Sequence, residues 1–388
     1  MSIGLSALWT AMPFIVRNIG GTEQDVGYVW AANMLGYLLC LLFAAWMLGH
    51  LAPRRTTRAA AAVMLLAIVV MAAVVYRAVT FDQPGRDMRI WMMIGAGTLA
   101  GAAMSLFWPF LMTWVSADYE GAILNRRLGA YNGMWSSAAI VGPVMGGALV
   151  DMNTLGPIAA GITSLAICFV LLCLARDGSA GVAACAERVD GPKTCLDRAA
   201  LLRFKWMARI SLFCSWVCLG VSRSQFALLF TSLGFSETQF GMLVTLFGVC
   251  NFLVLTCAGR FGLWHFNALP LFGLQVILGL SLLLLIHSRT LWAFVPAFVI
   301  MGVAFGFAYS SHLYYGACGS KKRSTPMAIH EATISLGVII GSGCGGYLSG
   351  HYGTYSPYWF AIVVLALGLL AQLAVYVGAR ARRDARPA

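Results

Sequence analysis

Apolar runs long enough to cross a lipid bilayer recur along this chain, and they constrain its fold more strongly than any other feature. About 20 residues span the hydrocarbon core as a helix. Twelve runs near that length occupy residues 2–16, 26–48, 59–79, 89–115, 128–150, 157–175, 207–233, 240–263, 268–287, 291–317, 327–349 and 358–377. Lipid offers no hydrogen bonds to the backbone, so such segments must be helical. The sequence therefore predicts an all-α polytopic membrane protein with twelve transmembrane helices.

The composition excludes an ordinary soluble protein. Of 388 residues, 60% are hydrophobic and 10% are charged, whereas a soluble domain has roughly 25% charged residues. The net charge of +12 is spread over short segments between the runs, so it predicts orientation in the bilayer and no nucleic-acid partner. The 11 cysteines lack Cys-x-x-Cys pairs, and we expect packing residues with no metal and no cofactor.

A single long polar stretch divides the chain between two sets of six runs. Residues 176–205 combine acidic, basic and proline residues, which is linker composition. The sequence therefore predicts an N-terminal six-helix bundle in residues 1–175, a cytoplasmic linker in residues 176–205, and a C-terminal bundle in residues 206–388 that ends in a short basic tail.

The two halves also resemble each other in sequence. Residues 19–27 parallel residues 233–241 at an offset of 214 (233 minus 19), and both look like capped helix starts. Residues 97–105 parallel residues 302–310 at an offset of 205 (302 minus 97). Parallels that keep the same order along the chain indicate an internal repeat, so we predict two pseudo-symmetric bundles.

A third parallel involves glycines in the fifth and eleventh runs. The fifth run contains Gly129, Gly142, Pro143, Gly146 and Gly147. In the eleventh run Gly337, Gly341, Gly345 and Gly346 lie 199 positions (346 minus 147) after Ala138, Gly142, Gly146 and Gly147, and Ser342 replaces Pro143. Small residues let membrane helices approach closely, so these glycines are predicted to form packing faces that slide during conformational change.

Basic residues predict the orientation. The loops on the side of the two termini hold most of them, including Arg126, Arg127 and the run from Lys321 to Arg323. The positive-inside rule then places both termini in the cytoplasm. We expect no cleavable signal peptide. The first run is shorter than its repeat counterpart, so a late start or a truncated first helix is expected.

Twelve runs arranged as six plus six, a charged central stretch and the glycine-rich fifth run together resemble the major facilitator superfamily of secondary transporters. In family antiporters the fifth segment reads Gly, eight residues, Gly, three residues, Gly-Pro, two residues, Gly-Gly. Here Gly129, Gly142, Pro143, Gly146 and Gly147 fit this pattern, and Ala138 replaces the second glycine. The resemblance spans nearly the whole chain. It implies the two-bundle fold of that family and a multi-pass protein of the inner membrane, which we expect to be monomeric.

The loop after the second run keeps part of another signature of the family. Gly49, Arg54, Arg55 and Arg58 match it, so the resemblance implies a role at the inner gate. Proline and threonine stand at positions 53 and 56, where the family has aspartate and glycine. These departures indicate a divergent subfamily.

Ionisable groups at membrane depth are costly, so each is a functional hypothesis. Arg223 lies well inside the seventh run among polar neighbours. One interpretation is that it binds an anionic group of a substrate. The alternative is a structural ion pair or a side chain that extends to the interface.

His330 and Glu331 open the eleventh run, and their counterparts 199 positions earlier (331 minus 132) are Tyr131 and Asn132. Matching polar positions in both halves suggest one cavity face. Glu331 can take up and release a proton with His330 tuning it, or it can form an inner-gate salt bridge with a loop arginine. A zinc motif is excluded, because His-Glu-x-x-His requires histidine where Ile334 stands.

Aromatic residues suggest the walls of a cavity. His312 lies near Tyr309 in the tenth run, and Trp135 belongs to the fifth. These side chains can line a substrate pathway. They can equally be packing residues or part of the aromatic belt at the membrane interface.

The leading hypothesis is a secondary transporter that moves a small organic solute by alternating access. Coupling to protons is expected, and the fifth-run pattern favours export over uptake. One alternative is uptake of a sugar, carboxylate or other nutrient by symport. Another is a membrane assembly factor or sensor that keeps the fold without transport. An enzyme is not predicted, because no nucleophile-elbow, metal-ligand or phosphate-loop pattern is present.

Overall fold

The computed structural model describes residues 1–47, 52–81, 85–116, 121–175, 198–258, 264–318 and 324–384. The first half of this part of the chain forms α1 (Ser2–Asn18), α2 (Glu23–Met47), α3 (Pro53–Phe81), α4 (Arg86–Ser116), α5 (Gly121–Met152) and α6 (Gly156–Leu174). The second half forms α7 (Arg198–Ser224), α8 (Phe226–Ser232), α9 (Glu237–Ala258), α10 (Leu269–His287), α11 (Leu291–Ala317), α12 (Ser324–Tyr352) and α13 (Ser356–Asp384). Every regular element in these ranges is a helix, which confirms the predicted all-α fold.

Twelve spanning segments result, because α7 and α8 together make one span that is interrupted at Gln225. Ten helical stretches in the described ranges are long and apolar enough to cross a membrane. The other two segments are α1, with 17 residues, and α5, whose apolar part covers Ser137–Met152. The chain is therefore an integral multi-pass membrane protein.

The predicted linker overlaps a helix. Helix α7 begins at Arg198, so residues 198–205 continue the seventh span instead of connecting the halves. Alanine and leucine at positions 199–202 favour this helical start. The remaining linker positions, 176–197, lie outside the described residues.

Both predicted helix starts are capped as the sequence indicates. In α2 the Thr22 N–H donates to Asp25 Oδ2 at 2.8 Å, and the Asp25 N–H donates back to Thr22 Oγ1 at 3.3 Å. In α9 the equivalent bonds join Ser236 and Gln239 at 2.9 and 3.2 Å. These reciprocal bonds satisfy backbone donors that a helix start leaves free. The internal repeat is thus present in local geometry as well as in sequence.

Two long contacts, which we call seams, join the two bundles. In one seam α2 packs against α12, and in the other α5 packs against α9. We call the side of the bundles where α1 begins and α13 ends the terminal face, and the side where α1 ends and α2 begins the opposite face. Both seams approach most closely toward the opposite face, near the start of α2 and of α9.

Glycines permit this close approach. A Cβ on Gly346 would lie 2.8 Å from the Gly27 Cα in the α2–α12 seam. In the α5–α9 seam, a Cβ on Gly241 would lie 2.5 Å from the Pro143 carbonyl oxygen. A Cβ on Gly147 would meet the Glu237 carbonyl. Because these obstacles are main chain, only glycine allows the two bundles to meet at these points.

The other motif glycines pack inside their own bundle. Gly142 and Gly146 lie against α1, where an added Cβ would meet Ser6 or Ala7. Gly337, Gly341 and Gly345 lie against α7 in the same way, next to Trp216, Val217 and Val221. Gly129 belongs to α5, in a part of the helix whose surroundings fall outside the description. Each motif therefore packs one face on its own bundle and the other on the partner bundle.

Candidate functional site

A cavity of about 310 Å³ lies between the two bundles. Helices α1, α2, α4 and α5 line it from the N-terminal bundle, and α7, α9, α11 and α12 line it from the C-terminal bundle. Ligand pockets usually hold ~300–1,000 Å³, so this cavity suits a small molecule.

The two bundles contribute repeat-related residues to the cavity. Seven pairs of lining positions are related by the offsets of the internal repeat: Ser2 and Trp216, Leu5 and Leu219, Ser6 and Gly220, Trp9 and Arg223, Met34 and Gly248, Met104 and Tyr309, and Ala139 and Val338. The first five pairs are separated by 214 positions (216 minus 2), the sixth by 205 (309 minus 104) and the last by 199 (338 minus 139). The cavity is therefore built from equivalent faces of both bundles.

Aromatic side chains dominate the walls. On the N-terminal side the rings of Trp9 and Trp30 meet edge to face, with centroids 5.5 Å apart. On the C-terminal side Phe305 contacts Phe247 at 5.3 Å and Trp216 at 6.1 Å. Edge-to-face pairs of this kind hold one another in fixed orientations. The walls therefore present a rigid, largely apolar surface to a ligand.

Arg223 brings a positive charge to this surface. It is the only formally charged residue among those that line the cavity in the described structure. Its guanidinium carbon lies 5.5 Å from the centroid of the Phe247 ring, and no ion pair of Arg223 is found within the described ranges. The residue lies in the last turn of α7, nine positions before Ser232 (232 minus 223), which is roughly 13 Å at helical rise. The cation thus lies deep in the membrane.

Three uncharged polar atoms in the cavity walls also lack partners. The Trp30 and Trp216 indole N–H groups and the Asn251 side-chain oxygen are buried without a hydrogen bond to any described residue. Buried polar groups are normally paired, since an unpaired one is costly. Two donors and one acceptor that belong to cavity-lining residues are therefore unpaired in the described structure.

A histidine pair lies behind the cavity, between α11 and α12. The Nδ1 atoms of His312 and His330 are 2.9 Å apart, and both side chains are buried. One Nδ1–H must donate and the other Nδ1 accept, so the two rings are opposite tautomers. The Tyr309 ring, which lines the cavity, meets the His330 ring edge to face at 4.5 Å. Tyr309 thus connects the pair with the cavity.

Glu331 lies at the α2–α12 seam and not in the cavity wall. Its Oε2 accepts a hydrogen bond of 3.1 Å from the Tyr37 hydroxyl. The partner described for this carboxyl group is a tyrosine of the other bundle, whereas the sequence suggested a loop arginine. The carboxyl group therefore joins the two bundles directly.

Polar contacts cross between the bundles at the opposite face. The Asp151 carboxylate accepts hydrogen bonds from the Thr238 N–H, at 2.9 Å, and from the Thr238 hydroxyl. Beside the α2–α12 seam, the Gln225 side chain donates to the Glu23 carbonyl of α2 at 3.2 Å. Gln225 is the residue that separates α7 from α8, so the interruption in the seventh span contacts the partner bundle.

Two of the loop arginines contact the end of α6. Arg54 donates to the Ala175 carbonyl at 2.6 Å, and Arg58 donates to the Leu172 carbonyl at 2.8 Å. Both therefore cap the carboxyl end of α6, where cations are favourable. Arg55 is exposed, and Gly49 lies outside the described residues. In the described structure these contacts fix the first bundle internally.

The remaining predicted residues divide into two groups. Trp135 and Tyr309 line the cavity. Tyr131 and Asn132 belong to α5, but their side chains lie outside the description. No group of three or more potential metal ligands occurs in the described ranges. The sequence did not single out Trp30, Trp216 or Asn251, because the face of a uniformly apolar helix that meets a cavity leaves no periodic signal.

The sequence and the fold were compared with those of known proteins. A family model described as Major Facilitator Superfamily matches residues 1–317 and 210–388. No curated protein matches the sequence. Among solved structures, a D-xylose-proton symporter is similar with a TM-score of 0.68, 15% identity and coverage of 97% of each chain. A bacterial homologue of the iron transporter ferroportin in an inward-facing state gives 0.65, 13% identity and 95% of each chain.

A third similar structure is a POT family transporter in complex with 5-aminolevulinic acid. Its TM-score is 0.67 at 12% identity, with 98% of this chain and 95% of that chain covered. Identities this low establish a shared fold and no shared substrate.

Proposed function

The chain belongs to the major facilitator superfamily, and we propose that it moves a small organic solute through the central cavity by alternating access, exporting it in exchange for protons. Its family identifies it as a transporter of small solutes and not as an enzyme. The direction of transport, the coupling ion and the orientation of the protein in the membrane belong to the proposal and do not follow from the family.

The observation that carries the proposal is the construction of the cavity from repeat-related faces. Each bundle supplies equivalent residues to its walls, and the seams hold the bundles together beside it. Two such bundles can rock about a fixed central site, so that the site opens to one side and then to the other. Because glycine main chain meets main chain at the seams, the contact can separate without withdrawing long side chains.

Glu331 supports the proton coupling. Its carboxylate accepts the Tyr37 hydroxyl across the α2–α12 seam. Protonation would remove the negative charge from this junction between bundles, and would thereby change the preference between conformations. The glycine-proline pattern at Gly142 and Pro143 supports export, because it is the pattern of family antiporters.

We further propose that the terminal face is cytoplasmic and that the protein acts as a monomer in the inner membrane. The concentration of basic residues on that face supports the orientation. The two bundles, residues 1–175 and 198–388, would then be joined by a cytoplasmic connection. An impermeant reagent directed at a tag on either terminus should react only with inside-out vesicles.

Alternating access can be tested without knowing the substrate. Ser6 lines the cavity, and Ser6→Cys in a chain whose 11 native cysteines are replaced by alanine gives one reactive position. A membrane-impermeant maleimide should label it in both right-side-out and inside-out vesicles. Labelling from only one side under all conditions would contradict alternating access.

A disulfide across the α5–α9 seam provides the matched control for this labelling experiment. Asp151 and Thr238 are in contact at the opposite face. A disulfide between Asp151→Cys and Thr238→Cys should hold that seam closed, so the cavity cysteine should lose labelling from the opposite face and keep it from the terminal face. Reduction should restore labelling from both sides.

Coupling has its own test. Because maleimide reacts with the thiolate, whose fraction rises with pH, the quantity to compare is the ratio of cavity-cysteine labelling from the terminal face to labelling from the opposite face. This ratio should change between pH 6 and pH 8 if protonation shifts the conformational equilibrium. Glu331→Gln should make the ratio independent of pH, because glutamine keeps the acceptor but cannot titrate. If Glu331→Gln retained the full pH response, Glu331 would not be the coupling group.

A further inference from the structure

We propose that the cavity is selective for a small organic monoanion with a planar aromatic body, whose anionic group binds Arg223. This inference rests on the proposed transport function and names its substrate class. The charge, the unpaired polar atoms and the shape of the cavity each support it.

The Arg223 charge needs a compensating group. A cation at membrane depth is stable only when a counter-charge or several hydrogen bonds accompany it. The described contact of the Arg223 guanidinium is the face of the Phe247 ring, which attracts a cation but does not neutralise it. One positive charge without an ion pair in the described cavity therefore calls for one negative charge on the ligand.

Acidic residues of the described helices do not supply this charge. None lines the cavity. Glu23 pairs with Arg17 at 2.6 Å and Asp25 pairs with Arg86 at 2.5 Å, both at the opposite face. Glu331 is occupied by its hydrogen bond to Tyr37. The carboxylates close to the helices of the cavity are thus engaged elsewhere.

The unpaired donors match the same ligand class. An indole N–H can only donate, and the buried N–H groups of Trp30 and Trp216 come from opposite bundles. Carboxylate or sulfonate oxygens accept several such bonds together with a guanidinium. The buried Asn251 oxygen is an acceptor, so it suits a hydroxyl or N–H on the body of the ligand.

The cavity walls favour a planar aromatic group as the uncharged part of the ligand. Trp9, Phe247 and Phe305 offer ring faces and edges at fixed angles, which suit a planar apolar group. A sugar would leave the Arg223 charge without a counter-charge in the described cavity. A dianion would bring a second charge for which the described lining has no cation. A monovalent aromatic acid satisfies both requirements.

Binding to the purified full-length protein tests this proposal. The probes are benzoate, indole-3-acetate and naphthalene-1-sulfonate, each compared with its neutral amide: benzamide, indole-3-acetamide and naphthalene-1-sulfonamide. Calorimetric titration should show that at least one acid binds tenfold or more tightly than its neutral relative. Arg223→Gln should remove this preference, and Arg223→Lys should keep part of it.

Arg209→Gln is the matched control. Arg209 belongs to the same helix, but its guanidinium stacks on the Trp206 ring in a peripheral groove, 4.8 Å from the ring centroid. This variant should keep the full preference for the acid. Thermal unfolding of each variant without ligand separates loss of the site from loss of the fold.

Three results would overturn the proposal: no acid binds, acid and amide bind equally, or folded Arg223→Gln keeps the preference. Its failure differs from failure of the transport proposal. If anions do not bind but the cavity cysteine is labelled from both sides, only the substrate class is wrong. If anions bind and labelling stays one-sided, the anion site stands without transport.

Discussion

The N-terminal and C-terminal bundles present equivalent positions to one cavity, yet they differ in the chemistry at those positions. Trp9 of the first bundle corresponds to Arg223 of the second, 214 positions later (223 minus 9). The counterpart of His312 is Phe107, 205 positions earlier (312 minus 107). Packing is shared between the bundles, whereas charge at the cavity is confined to the second.

The difference teaches which constraints belong to the fold and which to the site. Gly27 and Gly241 are separated by 214 positions (241 minus 27), and both meet main chain of the partner bundle. The two bundles approach closely at two seams, so a glycine for close approach occurs in both halves. A single charged substrate needs one cation, so the cation occurs once. We infer that the first bundle supplies mainly a shaped apolar wall.

The largest effect should follow from blocking the seams. We predict that Gly346→Leu and Gly147→Leu each destabilise the closed opposite face by about 3 kcal/mol or more, since overpacking costs ~1–3 kcal/mol even where neighbours can shift. The obstacles here are main-chain atoms of Gly27 and Glu237. Labelling of the cavity cysteine from the opposite face should rise in both variants.

Gly273→Leu is the control for this prediction, because a Cβ at Gly273 has nothing within 4 Å. It should leave labelling unchanged. If only one of the two seam variants altered access, the seams would not be equivalent, and the comparison between bundles would fail at its shared part.

The next effect concerns the charge itself. We predict that Arg223→Trp weakens binding of an aromatic acid by ~10–100-fold, because hydrogen bonds to a charged group contribute ~1.5–3 kcal/mol. Adding Trp9→Arg should restore part of this affinity, because position 9 lines the same cavity. Calorimetric titration checks both variants. A double variant no better than Arg223→Trp would show that the two positions do not face one ligand.

A third prediction concerns the histidine pair. His312→Phe places the residue of the N-terminal counterpart at this position and leaves the His330 Nδ1 buried without its partner at 2.9 Å. We expect a loss of ~1–3 kcal/mol in the free energy of unfolding, the cost of an unsatisfied buried polar group. His351→Phe, at an exposed position of the same helix as His330, should change it little.

The paired variant sharpens this prediction. His312→Phe with His330→Phe removes both partners, so it should cost less than the sum of the two single changes. Additive losses in denaturant unfolding would show that the two rings do not depend on each other.

Sequence was sufficient to predict most of the fold and only part of the site. Apolar runs give helices because lipid permits little else, and the spacing of Thr22 and Asp25 gives a helix cap because that motif is local. The bond between Tyr37 and Glu331 joins residues 294 positions apart. No local pattern encodes such a contact, because it depends on how whole helices are rotated.

The contacts of the arginines were also not predictable from the sequence, because they too depend on how the helices pack. Arg223 stood out because a charge is rare at membrane depth, and it lines the cavity. Arg54 and Arg58 resembled gate residues, yet they donate to carbonyls at the end of α6, more than a hundred positions away. Residue type indicated an unusual group in each case. Its partner followed only from the packing of the bundles.

The smallest effects should come from the polar contacts that end the seams. We predict that Asp151→Ala costs ~0.5–2 kcal/mol, as expected for the loss of a helix cap, because it frees the Thr238 N–H at the start of α9. Gln225→Leu should cost ~0.5–1.5 kcal/mol through the lost bond to the Glu23 carbonyl. Both should raise labelling of the cavity cysteine from the opposite face slightly.

Thr238→Val gives the control within this comparison. It removes the hydroxyl but keeps the main-chain N–H that donates to Asp151, so it should cost less than Asp151→Ala. The two seams use different polar groups for one task, and equal small effects would show that the task is shared although the chemistry is not. If Gln225→Leu alone changed access, the interruption between α7 and α8 would control the opposite face by itself.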